Sequence, residues 1–309
     1  MNRGNAADII GINWGSSAFR AYRIDSEGAA VDSFRSGDGV GTLDRAGMEA
    51  MIERVVARWP GIERIYASGM IGSNIGWVEA PYAEAPVAAH DLVGRVIDTR
   101  IGATAVRVVP GIACRRRSDG GPDILRGEEI ELFGHLAASD APRDGLIALP
   151  GTHTKWAAIE RGRLVEFFTS ISGELYDRMS QAGLLASIID GAAEAGAAFA
   201  RGVDEGRRSG LAIGTLLFGA RARVIRGDLE RRDAASYLRG LLIGAELADV
   251  GQLLGAFGEA PVPLIGNGPL CRLYAAAIEA VGGAARIVDP ERACLAGFVA
   301  LDRVSVAVA

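Results

Sequence analysis

Apolar positions near the start of the chain follow a strand-like period before switching to a helical one. Residues 8–13, DIIGIN, form a short apolar run. Residues 20–25, RAYRID, follow after a turn of small residues. The two predict a hairpin, and residues 29–34, AAVDSF, predict a third strand that extends the meander. Residues 44–59, DRAGMEAMIERVVARW, carry apolar side chains at helical spacing and predict a helix that stops before Pro60. RIYAS (64–68), VRVVP (106–110) and LIALPG (146–151) read as short buried strands rich in β-branched residues. Between the last two, GEEIELFGHLAA (127–138) has the pattern of an amphipathic helix.

The same order begins again near residue 145. GLIALP, KWAAIE and LVEFF predict strand, turn, strand and strand, and an Ala/Gly/Leu-rich helical region follows from about Gly173 to Phe257. PVPLIG then predicts a strand opening onto the turn and helix of NGPLCRLYAAAIEAVG, and ARIV and PERACLAGFVAL close the chain as strand and helix. Two cycles that each open with a hairpin around small residues predict a duplicated architecture with a cleft between the halves. No close sequence repeat or low-complexity tract accompanies it.

At 309 residues the chain can bury one large or two medium cores. Its net charge of -5, with no basic block, argues against a nucleic-acid partner. The cluster CRRRSDGG (114–121) is expected to be a solvated loop. Three scattered cysteines, Cys114, Cys271 and Cys294, match no metal or redox spacing, and the odd count fits reduced thiols in the cytoplasm. The opening MNRGNAADIIG has too short an apolar run for a leader, and the best membrane-span candidate (241–257) is interrupted by Glu246 and Asp249. With only three histidines, a His-rich metal site is excluded.

Five segments carry candidate chemistry. In NWGSSAFR, Gly15 permits a tight turn, Ser16 and Ser17 offer hydroxyls and amides to an anion, and Arg20 returns a cation. Taken alone, this is a soluble hairpin tip. LPGTHTKW (149–156) repeats the arrangement with Gly151, Thr152, Thr154 and Lys155; His153 reads as a loop donor, since no carboxylate is adjacent in sequence. Two such loops, one per half, imply a polyphosphate held across a cleft. Glu128 and Glu129 open the helix of the LRGEEIELFG segment, where they either cap it or place a base in the cleft; Glu131 is expected on another, solvated face. LIGNGPLCRLY (264–274) feeds a Gly-X-Gly turn into a helix, suited to close backbone approach by a ligand. ASGMIGSNIGWVEAPY (67–82), rich in Gly, amide, hydroxyl and indole, suits a polar ligand with an apolar face. Trp14, Trp77 and Trp156 all fall inside these segments, which favours the functional reading.

Together the strings NWGSSAFRAY, GMIGSNIGWVEAPY, VPGI, RGEEIELFG, LPGTHTKW, SGELYDRM and GLLIGAE, with the segment near residue 265, resemble the 2-dehydro-3-deoxygalactonokinases almost end to end. The resemblance implies an α/β chain of two ribonuclease-H-like, actin/hexokinase-type domains (1–143 and 144–309) around a cleft, the last helix packing back on the first. It implies ATP and Mg²⁺ as cofactors. Gly15, Ser16, Ser17 and Arg20 would form the first phosphate loop, and Gly151, Thr152, His153 and Lys155 the second. Gly266, Asn267 and Gly268 would border the adenosine, and residues 240–246 would support that pocket, with Glu246 as a structural hydrogen-bonder. Glu128 or Glu129 would be the base, Glu128 being favoured. The substrate, 2-dehydro-3-deoxygalactonate phosphorylated at its 6-hydroxyl, would be held by Ser73, Asn74 and Trp77, with Glu174 a further contributor. Members of the family carry Asp where Asn13 stands; an amide can still bind a metal-bound water, yet brings no charge. The implied partner is a small sugar acid, without membrane or nucleic acid, and a homodimer is left open. The alternatives are a kinase of the same fold for another 2-keto-3-deoxy sugar acid or a plain sugar, or a sugar-acid sensor that kept the cleft with weakened or no catalysis.

Overall fold

The computed structural model describes residues 8–308; the first seven residues, where part of the leader reading falls, and residue 309 lie outside it. The first half runs β1 (Ile9–Trp14), β2 (Phe19–Ile24), β3 (Ala30–Ser36), α1 (Arg45–Arg58) and β4 (Ile65–Gly69). It continues through β5 (Tyr82–Glu84), α2 (Ala89–Val93), β6 (Ile97–Ile101), β7 (Thr104–Val108), β8 (Gly111–Arg115), β9 (Pro122–Leu125) and α3 (Glu128–Leu136). The second half opens with β10 (Gly145–Leu149), β11 (Thr154–Glu160) and β12 (Arg163–Ser170). Helices α4 (Ser172–Gln181), α5 (Gly183–Ala186), α6 (Ala197–Arg208), α7 (Ile213–Arg226) and α8 (Ala234–Leu253) follow. The chain closes with β13 (Val262–Ile265), α9 (Gly268–Ala280), β14 (Ala285–Val288) and α10 (Pro290–Val308).

Both halves build the same sheet. The first is ordered β3-β2-β1-β4-β7-β6 and the second β12-β11-β10-β13-β14, so each places its third, second and first strands beside two later parallel ones. In each half the first strand is antiparallel to the second and parallel to the fourth in sheet order. This repeated order is the ribonuclease-H-like, actin/hexokinase-type fold. Because a parallel connection must cross over one face, both faces of the central strands are covered, and β1 and β10 read as apolar runs for that reason. The Asp44 carboxylate accepts a hydrogen bond from Gly47 N (2.8 Å), capping the start of α1.

Strands β5, β8 and β9 form a third, small sheet that the apolar pattern did not predict. They are short and carry mixed side chains, since they lean on β12 rather than on a core of their own: Asp123 accepts from Thr169 N and Oγ1, both at 2.7 Å. Part of the supposed solvated loop 114–121 belongs to this sheet, and Cys114 is buried with its thiol 3.3 Å from the Phe167 carbonyl. The glycines of the helical region serve close packing. A Cβ on Gly202 or Gly206 of α6, or on Gly240 or Gly244 of α8, would fall 2.2 Å from backbone of the facing helix. Helix α10 returns to the first half, packing along α3 and setting Phe298 against Gly11 of β1. One apolar cluster accordingly joins residues of both sheets with α3 and α10. Among the described residues no helix is long and apolar enough to cross a membrane.

Candidate active site

A cleft of about 640 Å³ opens where the carboxyl ends of the central strands of both sheets face each other. Gly15, from the β1–β2 turn, and Gly151, Thr152 and His153, from the β10–β11 turn, line this one cavity. Ser16 and Ser17 form the exposed tip of the first turn. That turn is braced from behind, for Val40 N donates to Gly15 O (3.0 Å) and Gly41 N to Ser16 O (2.9 Å). A Cβ on Gly39 would lie 2.3 Å from the Ser16 carbonyl, so only glycine permits this approach. The second turn has its own brace: Glu174 N donates to Thr152 O (2.9 Å), and a Cβ on Gly173 would lie 2.2 Å from Gly151 O. Gly266, Asn267 and Gly268, at the N-terminus of α9, complete the second half's wall.

The three carboxylates of α3 part company. Glu128 lines the cleft, with Lys155 Nζ 3.6 Å from its Oε1 and the Arg126 backbone N–H donating to its Oε2 at 3.1 Å. Lys155 is only 5% exposed and sits within β11. Its ammonium therefore approaches Glu128 from behind the loop, and the cavity is lined by the loop residues instead. Glu129 turns the other way, fully buried against Phe133 and Leu301, and accepts from Gly127 N at 2.5 Å. The alternative of Glu129 as a cleft base does not fit this placement. Glu131 corrects a second expectation, because it lines the cleft rather than a solvated face. Burial first, then the Glu128 charge, push its carboxyl up to about 7, with Arg20 opposing. The i, i+3 spacing of Glu128 and Glu131 was the available signal, since such residues share a helix face.

Burial raises the Glu129 carboxyl from its ordinary 4.5 to about 8, against the Gly127 hydrogen bond. The folded chain thus keeps a proton that the unfolded chain releases, and stability falls as pH climbs from about 4.5 to about 8. Glu129→Gln, which keeps an acceptor for Gly127, is expected to raise the melting temperature at pH 8 by about 3–10 °C and to leave it nearly unchanged at pH 5. Equal shifts at both pH values would contradict this account.

Other assignments also change with the fold. Ser73 is buried and donates to the Met70 carbonyl (2.7 Å), Asn74 points to solvent, and Trp77 donates to the Arg100 carbonyl (2.9 Å) beneath the Arg45 guanidinium. None of these three lines the cleft; from that segment Gly69 and Met70 do. Trp14 and Trp156 are core residues, so tryptophan content in the segments was no guide to binding. His153 does have a carboxylate partner, Glu174 Oε2 at 2.7 Å, supplied by α4. Glu246 is buried, accepting from Trp156 Nε1 (2.5 Å), Tyr274 OH (3.0 Å) and Ser172 Oγ. Thr154 Oγ1 joins the Tyr274 hydroxyl at 2.8 Å, so the network ends at the second turn. Asn13 and Arg20 line the cleft floor as neighbours in β1 and β2. Cys294 of α10, in hydrogen-bond contact with Asn13, and Arg35, Arg126 and Glu291 line it too and were not singled out by motif.

The model of the family described as 2-keto-3-deoxy-galactonokinase matches residues 13–301. The chain belongs to this family. A Rhizobium meliloti (strain 1021) protein named as a probable 2-dehydro-3-deoxygalactonokinase is 34% identical over 300 residues, covering 94% of this chain and 95% of its own. The 2-dehydro-3-deoxygalactonokinase of Escherichia coli (strain K12) is 30% identical over 293 residues, covering 94% and 96%. A crystal structure of a Sinorhizobium meliloti protein given the same enzyme name superposes with a TM-score of 0.84 at 32% identity, covering 96% of both chains. For a 2-keto-3-deoxy-galactonokinase family member, a cleft with two braced small-residue turns and cleft-facing carboxylates at a helix start is an arrangement that can position phosphates and orient a nucleophile, as phosphoryl transfer needs.

Proposed function

We propose that this protein is an ATP-dependent sugar-acid kinase that transfers the γ-phosphoryl group of ATP to the 6-hydroxyl of 2-dehydro-3-deoxygalactonate, releasing ADP. The observation that carries the reading is the convergence of both small-residue turns and Glu128 on one cavity. The family membership supports the kinase class. The boundary between the lobes falls between residues 143 and 144, with α10 returning to the first lobe.

In this mechanism the backbone amides and hydroxyls of residues 15–17 and 151–153 hold the phosphates, and Arg20 balances their charge. Residues 266–268 border the adenosine. Glu128 accepts the proton of the substrate hydroxyl as the oxygen attacks phosphorus, and Lys155 fixes that carboxylate from behind. Arg126 in the same cleft has no carboxylate partner among the described residues and suits an anionic substrate, whereas Arg35 is ion-paired with Glu291. The cleft offers hard oxygen donors, the Asn13 amide and accessible carboxylates, which fit a magnesium ion. When bound with ATP, Mg²⁺ neutralises phosphate charge; Asn13 would reach it through water. The protein acts on a small molecule in the cytoplasm.

The test is incubation with MgATP and 2-dehydro-3-deoxygalactonate, with ADP followed in a coupled assay and the product ester located by ³¹P NMR. The expected result is stoichiometric ADP and a 6-phosphate. Higher kcat/KM for a different 2-keto-3-deoxy acid would reassign the substrate. Sugar-acid binding without ADP above the blank would mean a sensor instead of a kinase.

A further inference from the structure

Asn13 stands uncharged at the cleft floor, and α3 adds a carboxylate besides Glu128 to the same cavity. Glu131 lines the same cavity, one helical turn beyond Glu128. Its electrostatic neighbours are Glu128, Arg20 and Cys294. Arg20 is paired with Asn13 across β1 and β2, and Cys294 is in hydrogen-bond contact with Asn13. Glu131 of α3 thus lines the same cavity as Asn13 of β1, Arg20 of β2 and Cys294 of α10. Among the described residues no hydrogen bond or ion pair engages its carboxylate. A carboxylate that lines a cleft with no donor or counter-ion engaging it leaves its oxygens free to meet a cation there. The fully buried carboxylates near the site, by contrast, have hydrogen-bond donors: Glu129 has Gly127, and Glu246 has Trp156, Ser172 and Tyr274.

We propose that Glu131 supplies the negative charge that retains the nucleotide's divalent cation in this cleft, in place of the charge that Asn13 lacks. The proposal rests on the kinase reading above. Its rival is a structural one, in which Glu131 merely steadies Arg20 for phosphate contact. The two differ in sign for a metal-free nucleotide. A carboxylate that serves the cation repels bare ADP, so its removal leaves metal-free ADP binding unchanged or tighter. A carboxylate that serves Arg20 helps bare ADP, so its removal weakens it.

The experiment measures Mn²⁺ affinity of the protein–ADP complex by electron paramagnetic resonance, and metal-free ADP affinity by calorimetry, for wild type, Glu131→Gln, Asn13→Asp and the double variant. Glu131→Gln is expected to weaken Mn²⁺ binding by about 10–100-fold without weakening metal-free ADP, and the double variant to recover most of that loss. Unchanged Mn²⁺ affinity in Glu131→Gln overturns the proposal. So does an equal loss for metal-free ADP, or a double variant no better than Glu131→Gln while melting like wild type. Wild-type activity with MgATP and the sugar acid separates these failures from failure of the kinase reading. If wild type makes ADP while Glu131→Gln binds Mn²⁺ normally, only the role of Glu131 falls.

Discussion

Glu128→Gln is expected to lower kcat by about two to four orders of magnitude while leaving nucleotide affinity within a few-fold of wild type. The amide keeps the shape and the acceptor for the Arg126 N–H, yet it cannot take a proton from the substrate hydroxyl. Phosphoryl transfer relies on positioning and charge, so a residual rate is expected from the two small-residue turns proposed to hold the phosphates, whose backbone the substitution leaves in place. Lys155 loses its counter-ion in a nearly closed environment, and some stability loss accompanies the change. For that reason kcat is compared at a temperature where both proteins are folded by circular dichroism. The matched control is Glu129→Gln, whose side chain faces the α2–α10 interior, with kcat expected within threefold of wild type. If Glu128→Gln turns over within tenfold of wild type, Glu128 is not the base.

Glu246→Ala is expected to destabilise the protein by about 3–5 kcal/mol, because three buried donors lose their acceptor at once. The melting temperature is expected to drop by about 5–15 °C. The donors belong to β11, α4 and α9, and the Tyr274 hydroxyl continues to Thr154 where the second small-residue turn enters β11. Lost positioning there is expected to raise KM for ATP more than KM for the sugar acid, although Glu246 touches neither. Glu246→Gln is milder, since the Ser172 and Tyr274 hydroxyls can turn to accept from the new amide. Thermal melts of both variants decide the matter: an alanine variant that melts with wild type would show that the network contributes little.

Part of this architecture was legible because it is written locally. The strand–turn–strand openings of both halves have apolar runs bounded by glycine and hydroxyl residues, and the structure has strands at both places. The helix over 44–59 was readable from its period, its Asp44 cap and Pro60, and α1 occupies Arg45–Arg58. The small sheet of β5, β8 and β9 was not readable, since its stability comes from Asp123 and the backbone near Arg117 meeting β12, more than forty residues away in sequence. Loop 73–77, read from its composition as a substrate loop, does not line the cleft. Its glycines and polar groups satisfy their own backbone and that of Arg100, a self-contained turn whose composition matches that of a binding loop.

The sequence by itself determined the family, the duplicated fold and the two small-residue turns, because short-range steric and hydrophobic rules act on neighbouring residues and leave fixed signatures. Only the tertiary structure decided which carboxylate meets the cleft. Adjacent helical residues point about 100° apart, so Glu128 and Glu129 go to opposite environments, and Glu131 rejoins Glu128 nearly one turn later. Which of those directions is the cleft depends on where α10 and the second sheet pack, and no local pattern encodes that.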